Sequence, residues 1–111
     1  MRYFISQAMN GRTDEEIKAE RNNVISAMKE LNPEAECIDS FIEEAPHDAK
    51  PLWFLGKSFE LLSGADMCVF VDYAHENARG CKMEYQACRA YGIDSVLYRT
   101  DTKTFEATTI V

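Results

Sequence analysis

The chain has 111 residues, 46% of them hydrophobic and 28% charged, which is ordinary composition for one compact domain and too little for two. Acidic residues number 19 against 12 basic ones, and the net charge of −7 has the wrong sign for a nucleic-acid polymer or an anionic membrane surface as main partner. Apolar runs are too short to span a bilayer and the first residues have no leader-peptide layout, so a cytoplasmic protein is expected.

Arg2 to Ser6 reads as a short buried strand, broken by Asn10-Gly11. Thr13-Asp14-Glu15-Glu16 is a capping box, with Thr13 at the N-cap and Glu16 three residues on. The helix that follows carries Ile17, Val24, Ile25, Met28 and Leu31 at helical spacing and ends at Asn32-Pro33. Ala35 to Ile38 predicts a weaker strand. Asp39 to Lys50, with Glu43, Glu44 and Asp48, predicts an acidic surface loop. Pro51 suits the first turn of a second helix, whose stripe is Leu52, Leu55, Phe59 and Leu62 and which Ser63-Gly64 closes. Asp66 to Val71 is the strongest strand. It is apolar at every position after the first, as expected of a central parallel strand covered on both faces. Asp72 to Gly80 predicts a polar loop, Cys81 to Tyr91 a third helix, and Gly92 its cap. Ser95 to Tyr98 predicts a fourth strand and Phe105 to Val111 a fifth.

Strands alternating with helices specify an α/β fold. The expected form is a single small doubly wound domain, Rossmann- or flavodoxin-like, over residues 1–111, with a mostly parallel sheet of four to five strands and helices on both faces. The first and third strands are expected side by side in the middle. Ligands in such sheets bind outside the carboxyl ends of the strands, where the strand order reverses. Two loops leave strand ends of that kind, Ser6 to Arg12 and Asp72 to Gly80. Cys37, Cys68, Cys81 and Cys88 form no C-x-x-C pair, and with His47 and His75 they match no zinc spacing. Buried, reduced thiols and no metal are expected.

Glu84 stands out among the polar residues. On a helical wheel Cys81, Glu84, Tyr85, Cys88 and Tyr91 cluster on one side, so a carboxylate shares the inward stripe near the start of its helix. The helix dipole there favours the ionised form and burial opposes it. Such a group suits a nucleophile or a hydroxyl-binding role; the plainer alternative is a surface glutamate in contact with the dipole alone. The loop Ser6-Gln7-Ala8-Met9-Asn10-Gly11 offers backbone amides, a hydroxyl and two amide side chains to a phosphate or a sugar edge, or else is a plain turn and cap. It is neither G-x-G-x-x-G nor a P-loop, and no cofactor is expected. In His75-Glu76-Asn77-Ala78-Arg79-Gly80, Asn77 and Arg79 could contact a ligand, Arg79 through an anion, and Gly80 permits close backbone approach. A solvated loop is the alternative. Trp53 and Phe54 could stack on a base, although core packing is the simpler use of both. Asp66 opens its strand at the end away from such a site and is expected to be structural.

Tyr3-Phe4-Ile5-Ser6 with its glycine-containing loop, the Ala65-Asp66 strand start and Gly80-Cys81-Lys82-Met83-Glu84 resemble the nucleoside 2-deoxyribosyltransferase-like superfamily. The likeness is greatest to its short bacterial and phage members, which share an I-S-Q-x-M-N-G opening and an E-N-A-R-G-C-K run, and it covers nearly the whole chain in layout. The resemblance implies that Glu84 attacks the anomeric carbon of a ribose or deoxyribose and releases the base. The resulting glycosyl ester passes to water or to another base. It further implies that Ser6 through Gly11 hold the sugar or 5′-phosphate, and that a homodimer or larger homo-oligomer completes the site. Two positions depart from the family pattern. Lys82 replaces the second glycine of Gly-any-Gly-any-Glu, and the family's helix aspartate, eight residues before the strand-start aspartate, falls on Ser58. Glu60 points elsewhere on that helix. Asp72, near the appropriate end of the sheet, is therefore the candidate acid partner.

The expected activity is N-glycosidic bond cleavage or (deoxy)ribosyl transfer on a small nucleoside or nucleotide. The alternative is a non-catalytic module that senses or sequesters a nucleotide-like ligand, and a third reading is an interaction protein that kept the fold and lost the site.

Overall fold

A computed structural model describes residues 1–40 and 46–108. In chain order they form β1 (Arg2–Ser6), α1 (Asp14–Leu31), β2 (Glu36–Cys37), α2 (Pro51–Leu62), β3 (Met67–Val71), α3 (Ala74–Asn77), α4 (Arg79–Tyr91), β4 (Asp94–Arg99) and β5 (Thr104–Ala107). The five strands make one sheet in the order β2-β1-β3-β4-β5. The first four are parallel, and β5 returns antiparallel along β4. The chain runs from β1 outward to β2, then crosses back to place β3 on the other side of β1. Strand order thus reverses between β1 and β3, which opens a crevice at their carboxyl ends.

β1 and β3 pair in the register Phe4↔Cys68 and Ile5↔Val69, and alternation sends their side chains to two separate cores. Tyr3, Ile5, Val69 and Val71 pack with Val24 and Met28 of α1. Phe4, Cys68 and Phe70 pack with Leu62 of α2, Ala74 of α3, and Cys81 and Cys88 of α4. Each fully buried side chain of this size contributes about 1.5–3 kcal/mol. β3, continuously apolar, serves both cores. The Cα radius of gyration is 13.2 Å, close to the ~13 Å of about a hundred compactly folded residues.

Local chemistry explains most boundaries. Thr13 caps α1 by accepting from the Glu16 N–H, and Gly92 ends α4 with a φ of 73°. Asp66 does hold the strand start together, its Oδ2 accepting from the Arg2 N–H at 2.8 Å. Other expectations need correction. The segment from Asp72 to Gly80 is not all loop. Asp72 and Tyr73 take positive φ values, 49° and 63°, which turn the chain into the single helical turn of α3, and α4 starts at Arg79 instead of Cys81. β2 shrinks to Glu36–Cys37 because only Arg2 and Tyr3 pair with it. β5 is Thr104–Ala107; Thr108 lies beyond its end, and 109–111 of the expected fifth strand lie outside the described residues. So do Glu43 and Glu44 of the acidic segment.

Three residues assigned to inward stripes lie outside the cores. Leu31 is 69% exposed and Tyr91 85%, each the last residue of its helix; Leu52 is 74% exposed at the start of α2. Arg21, by contrast, lies buried on the α1 stripe, donating to Ser40 Oγ at 2.9 Å. Among the described residues no helix is long and apolar enough to cross a membrane, and no group of three or more His, Cys, Asp or Glu could hold a metal ion.

Candidate functional site

An open cleft of about 1310 Å³ lies over the carboxyl end of β1. Its floor comes from Phe4, Ile5 and Ser6 of β1 and one wall from Asn77 to Cys81, with Met83 and Glu84. The opposite wall is the amino-terminal half of α2, including Lys50 at its N-cap, Phe54, Leu55 and Ser58. That half overhangs because α2 is anchored at its far end. Leu62 is buried, and Phe59 and Leu61 are half-buried against the same core.

Glu84 sits in the second turn of α4 and faces the cleft while only 6% exposed. Its Oε1 accepts a 2.8 Å hydrogen bond from the Ser6 hydroxyl, across 78 positions of sequence. Burial raises the Glu84 carboxyl from its ordinary 4.5 to about 7, against the pull of the Ser6 hydroxyl. Among the described residues no arginine or lysine adds a downward pull. Burial, set against the helix dipole, wins here. Cys81, one turn earlier, contacts the same hydroxyl, and burial pushes its thiol up to about 11, so it remains a neutral SH in the cleft wall.

The two strand-end loops do converge. Ser6, Gln7, Met9 and Asn10 of the first loop and Asn77, Arg79 and Gly80 of the second all line the same cleft. Their roles differ in detail from those expected. Ser6 is Glu84's hydrogen-bond donor. Gln7 is buried, and its amide is engaged with α1: Nε2 donates to Ile17 O at 3.3 Å and Glu20 Oε1 at 3.0 Å. Arg12 clamps the same loop, donating to Ala8 O at 2.9 Å and to both Glu20 oxygens at 2.9 and 3.0 Å. Asn77 Nδ2 donates to Tyr73 O at 3.1 Å, leaving its amide oxygen. Gly11, with a φ of +76°, makes the turn and does not line the cleft. Around Gly80 there is room, the nearest atom to an added Cβ being Leu55 Cδ1 at 4.0 Å.

Asp72 is not brought to the cleft. Its carboxylate accepts from the Thr100 N–H at 2.8 Å and from the Thr100 hydroxyl, tying the end of β3 to the end of β4. Glu84 is the single carboxylate among the described residues that line the cleft. Ser58, by contrast, does line it. Phe54 also faces the cleft instead of a core, while Trp53 meets it edge-on at 5.2 Å. Lys50, read only as the end of a loop, is a cation at the rim. Its signal was its place one residue before a helix-starting proline. His75, placed in a polar run, is buried against Tyr85 and Phe70 at 4.7 and 5.3 Å between ring centroids, away from the cleft.

An ionisable carboxyl in a half-dry cleft, held by a hydroxyl, can act as a nucleophile or take and give a proton near neutrality. Compared with protein-family models, curated proteins and solved structures, the chain matches none.

Proposed function

We propose that this cleft cleaves the N-glycosidic bond of a small nucleoside or nucleotide, with Glu84 as the nucleophile at the anomeric carbon. One observation carries the proposal: a carboxyl 6% exposed, facing a cleft at the switch point of a parallel sheet and oriented by the Ser6 hydroxyl. Ser6 at the floor, Asn10 in the loop that follows it and Asn77 on the α4-side wall offer hydroxyl and amide groups to a sugar. Arg79 and the amino terminus of α4, which has no side-chain cap and no acidic residue in its first turn, suit a 5′-phosphate. The glycosyl ester then passes to water or to a second base. The superfamily resemblance points the same way, and we read the fold accordingly as a small doubly wound domain acting in the cytoplasm. Exposed Met9, Leu52, Phe54 and Met83 around the opening suit a second copy of the chain as its cover.

A nucleotide panel, ribo and deoxy, with and without 5′-phosphate, tests this by chromatography for free base. Base release that Glu84→Gln abolishes is the expected result. Unchanged release by that variant would overturn the role of Glu84. The second reading, a binding module, draws on the single carboxylate of the described cleft lining. It predicts ligands left intact and a thermal shift that survives Glu84→Gln.

A further inference from the structure

Charge is distributed unevenly in the cleft. Glu84 is inside, buried, with the Ser6 hydroxyl as donor and, among the described residues, no cation drawing its titration down. Lys50 and Arg79, both exposed, stand at the rim beside the amino termini of α2 and α4, neither of which is closed by a side-chain cap. A ligand that satisfies both regions carries a positive charge at its inner end and a negative one at its outer end. A nucleotide of an ordinary purine or pyrimidine has only the second.

We propose that the substrate is an N-ribosylpyridinium nucleotide, its C1′ facing Glu84 with the cationic ring on the far side of that carbon, and its phosphate at the Lys50–Arg79 rim; this presupposes the N-glycosidic chemistry proposed above. The leaving group supports it independently. A neutral purine or pyrimidine must be protonated as it departs, a task for a second acid. A pyridinium needs none. The Glu84 carboxylate donates an electron pair to C1′, the C1′–N bond breaks, and its electrons stay on the ring nitrogen, which becomes a neutral pyridine. Water then adds to C1′, the bond from C1′ to the Glu84 oxygen breaks, the carboxylate is regenerated, and one proton leaves to solvent. The cationic ring, facing the carboxyl across C1′, also lowers its pKa, so the substrate itself ionises its nucleophile. Recognition needs no glycine-rich dinucleotide loop, because the charge pattern is set by side chains and helix ends.

The test sets nicotinamide mononucleotide and its adenine dinucleotide against their reduced dihydropyridine forms and against the 5′-monophosphates of inosine, uridine and cytidine, ribo and deoxy. Nicotinamide release from an oxidised form should exceed base release from the neutral nucleotides by about 100-fold or more, the value of a missing general acid. The faster of the two oxidised forms says whether one phosphate or two are held. Calorimetry supplies a readout independent of turnover. Glu84→Gln should weaken binding of the oxidised mononucleotide about ten-fold and leave the reduced form unchanged. Equal or faster release from a neutral nucleotide would overturn this substrate class while leaving the N-glycosidic reading standing. Equal affinity of wild type and Glu84→Gln for the oxidised form would overturn the charge complementarity. No release from any member would overturn both readings.

Discussion

Because burial holds the Glu84 carboxyl at about 7 in the folded chain against its ordinary 4.5, the native state keeps, between those values, a proton that the unfolded chain has released. The stability linked to this group is complete below the unfolded value, declines as pH rises through the window, and levels off above about 7. The span corresponds to about 3 kcal/mol. Glu84→Gln keeps an acceptor oxygen for the Ser6 hydroxyl and cannot ionise. It should therefore match the wild type at the acid end and gain stability as pH rises, by about 10 °C in Tm above neutrality. Thermal denaturation of both proteins across the window checks this, and parallel curves would remove burial as the cause. A substitution that stabilises the fold while ending turnover is what a buried functional charge produces. Ser6→Ala separates positioning from packing. It removes a donor to the ionised form, so the midpoint of any pH–activity curve should move up from about 7, while the fold loses about 1 kcal/mol. An unmoved midpoint would leave Ser6 a packing role alone.

α3 is one turn long and is attached to the rest of the molecule by two buried residues, Ala74 in the core and the His75 ring between Phe70, Tyr73 and Tyr85. Both His75 nitrogens and the Tyr85 hydroxyl are buried without a hydrogen-bond partner among the described residues. Burial lowers the His75 pKa from 6.5, and the Glu76 carboxylate acts the other way. This group's stability contribution is full above the unfolded value of 6.5 and is lost as pH falls through the lower folded one, opposite in sign to that of Glu84. His75→Phe keeps the ring and removes two unsatisfied atoms, so it should stabilise by about 1 kcal/mol at neutral pH and by more in acid. Destabilisation at every pH would mean that the imidazole finds a partner in solution. The same element marks where sequence reasoning stopped. Continuous apolarity in Met67–Val71 made a central parallel strand legible, and a glutamate on an apolar stripe made Glu84 legible, because both signals are local and periodic. The burial of His75 and of Arg21 was hidden by their polarity and depends on neighbours far along the chain. Nor could a helical wheel show that the upper half of α2 faces a cleft instead of a core, or that Ser6 would meet Glu84 across 78 positions.

At the scale of the whole molecule, two forces govern whether copies meet. Met9, Leu52, Phe54 and Met83 are four of the eight large hydrophobic side chains left exposed among the described residues, and all four border the cleft that holds Glu84. Apolar side chains gathered at one opening mark an interaction surface more than the same number scattered singly. Against association stands a charge of −7 on every copy. If a second copy covers the cleft through apolar contact, added salt screens the repulsion without weakening the attraction, and the dimer fraction should rise with ionic strength. An interface held by ion pairs would respond the opposite way. Sedimentation at low and high salt distinguishes the two, and a species that stays monomeric at both would remove the second copy. Leu52→Glu adds a further charge at a position 74% exposed, where the fold should change by no more than about 0.5 kcal/mol. It should nevertheless lower the dimer fraction. A loss of base release that follows this loss of dimer, and that returns at high protein concentration, would place part of the working site on the neighbouring copy; release that stays constant while the dimer disappears would confine the chemistry to one chain.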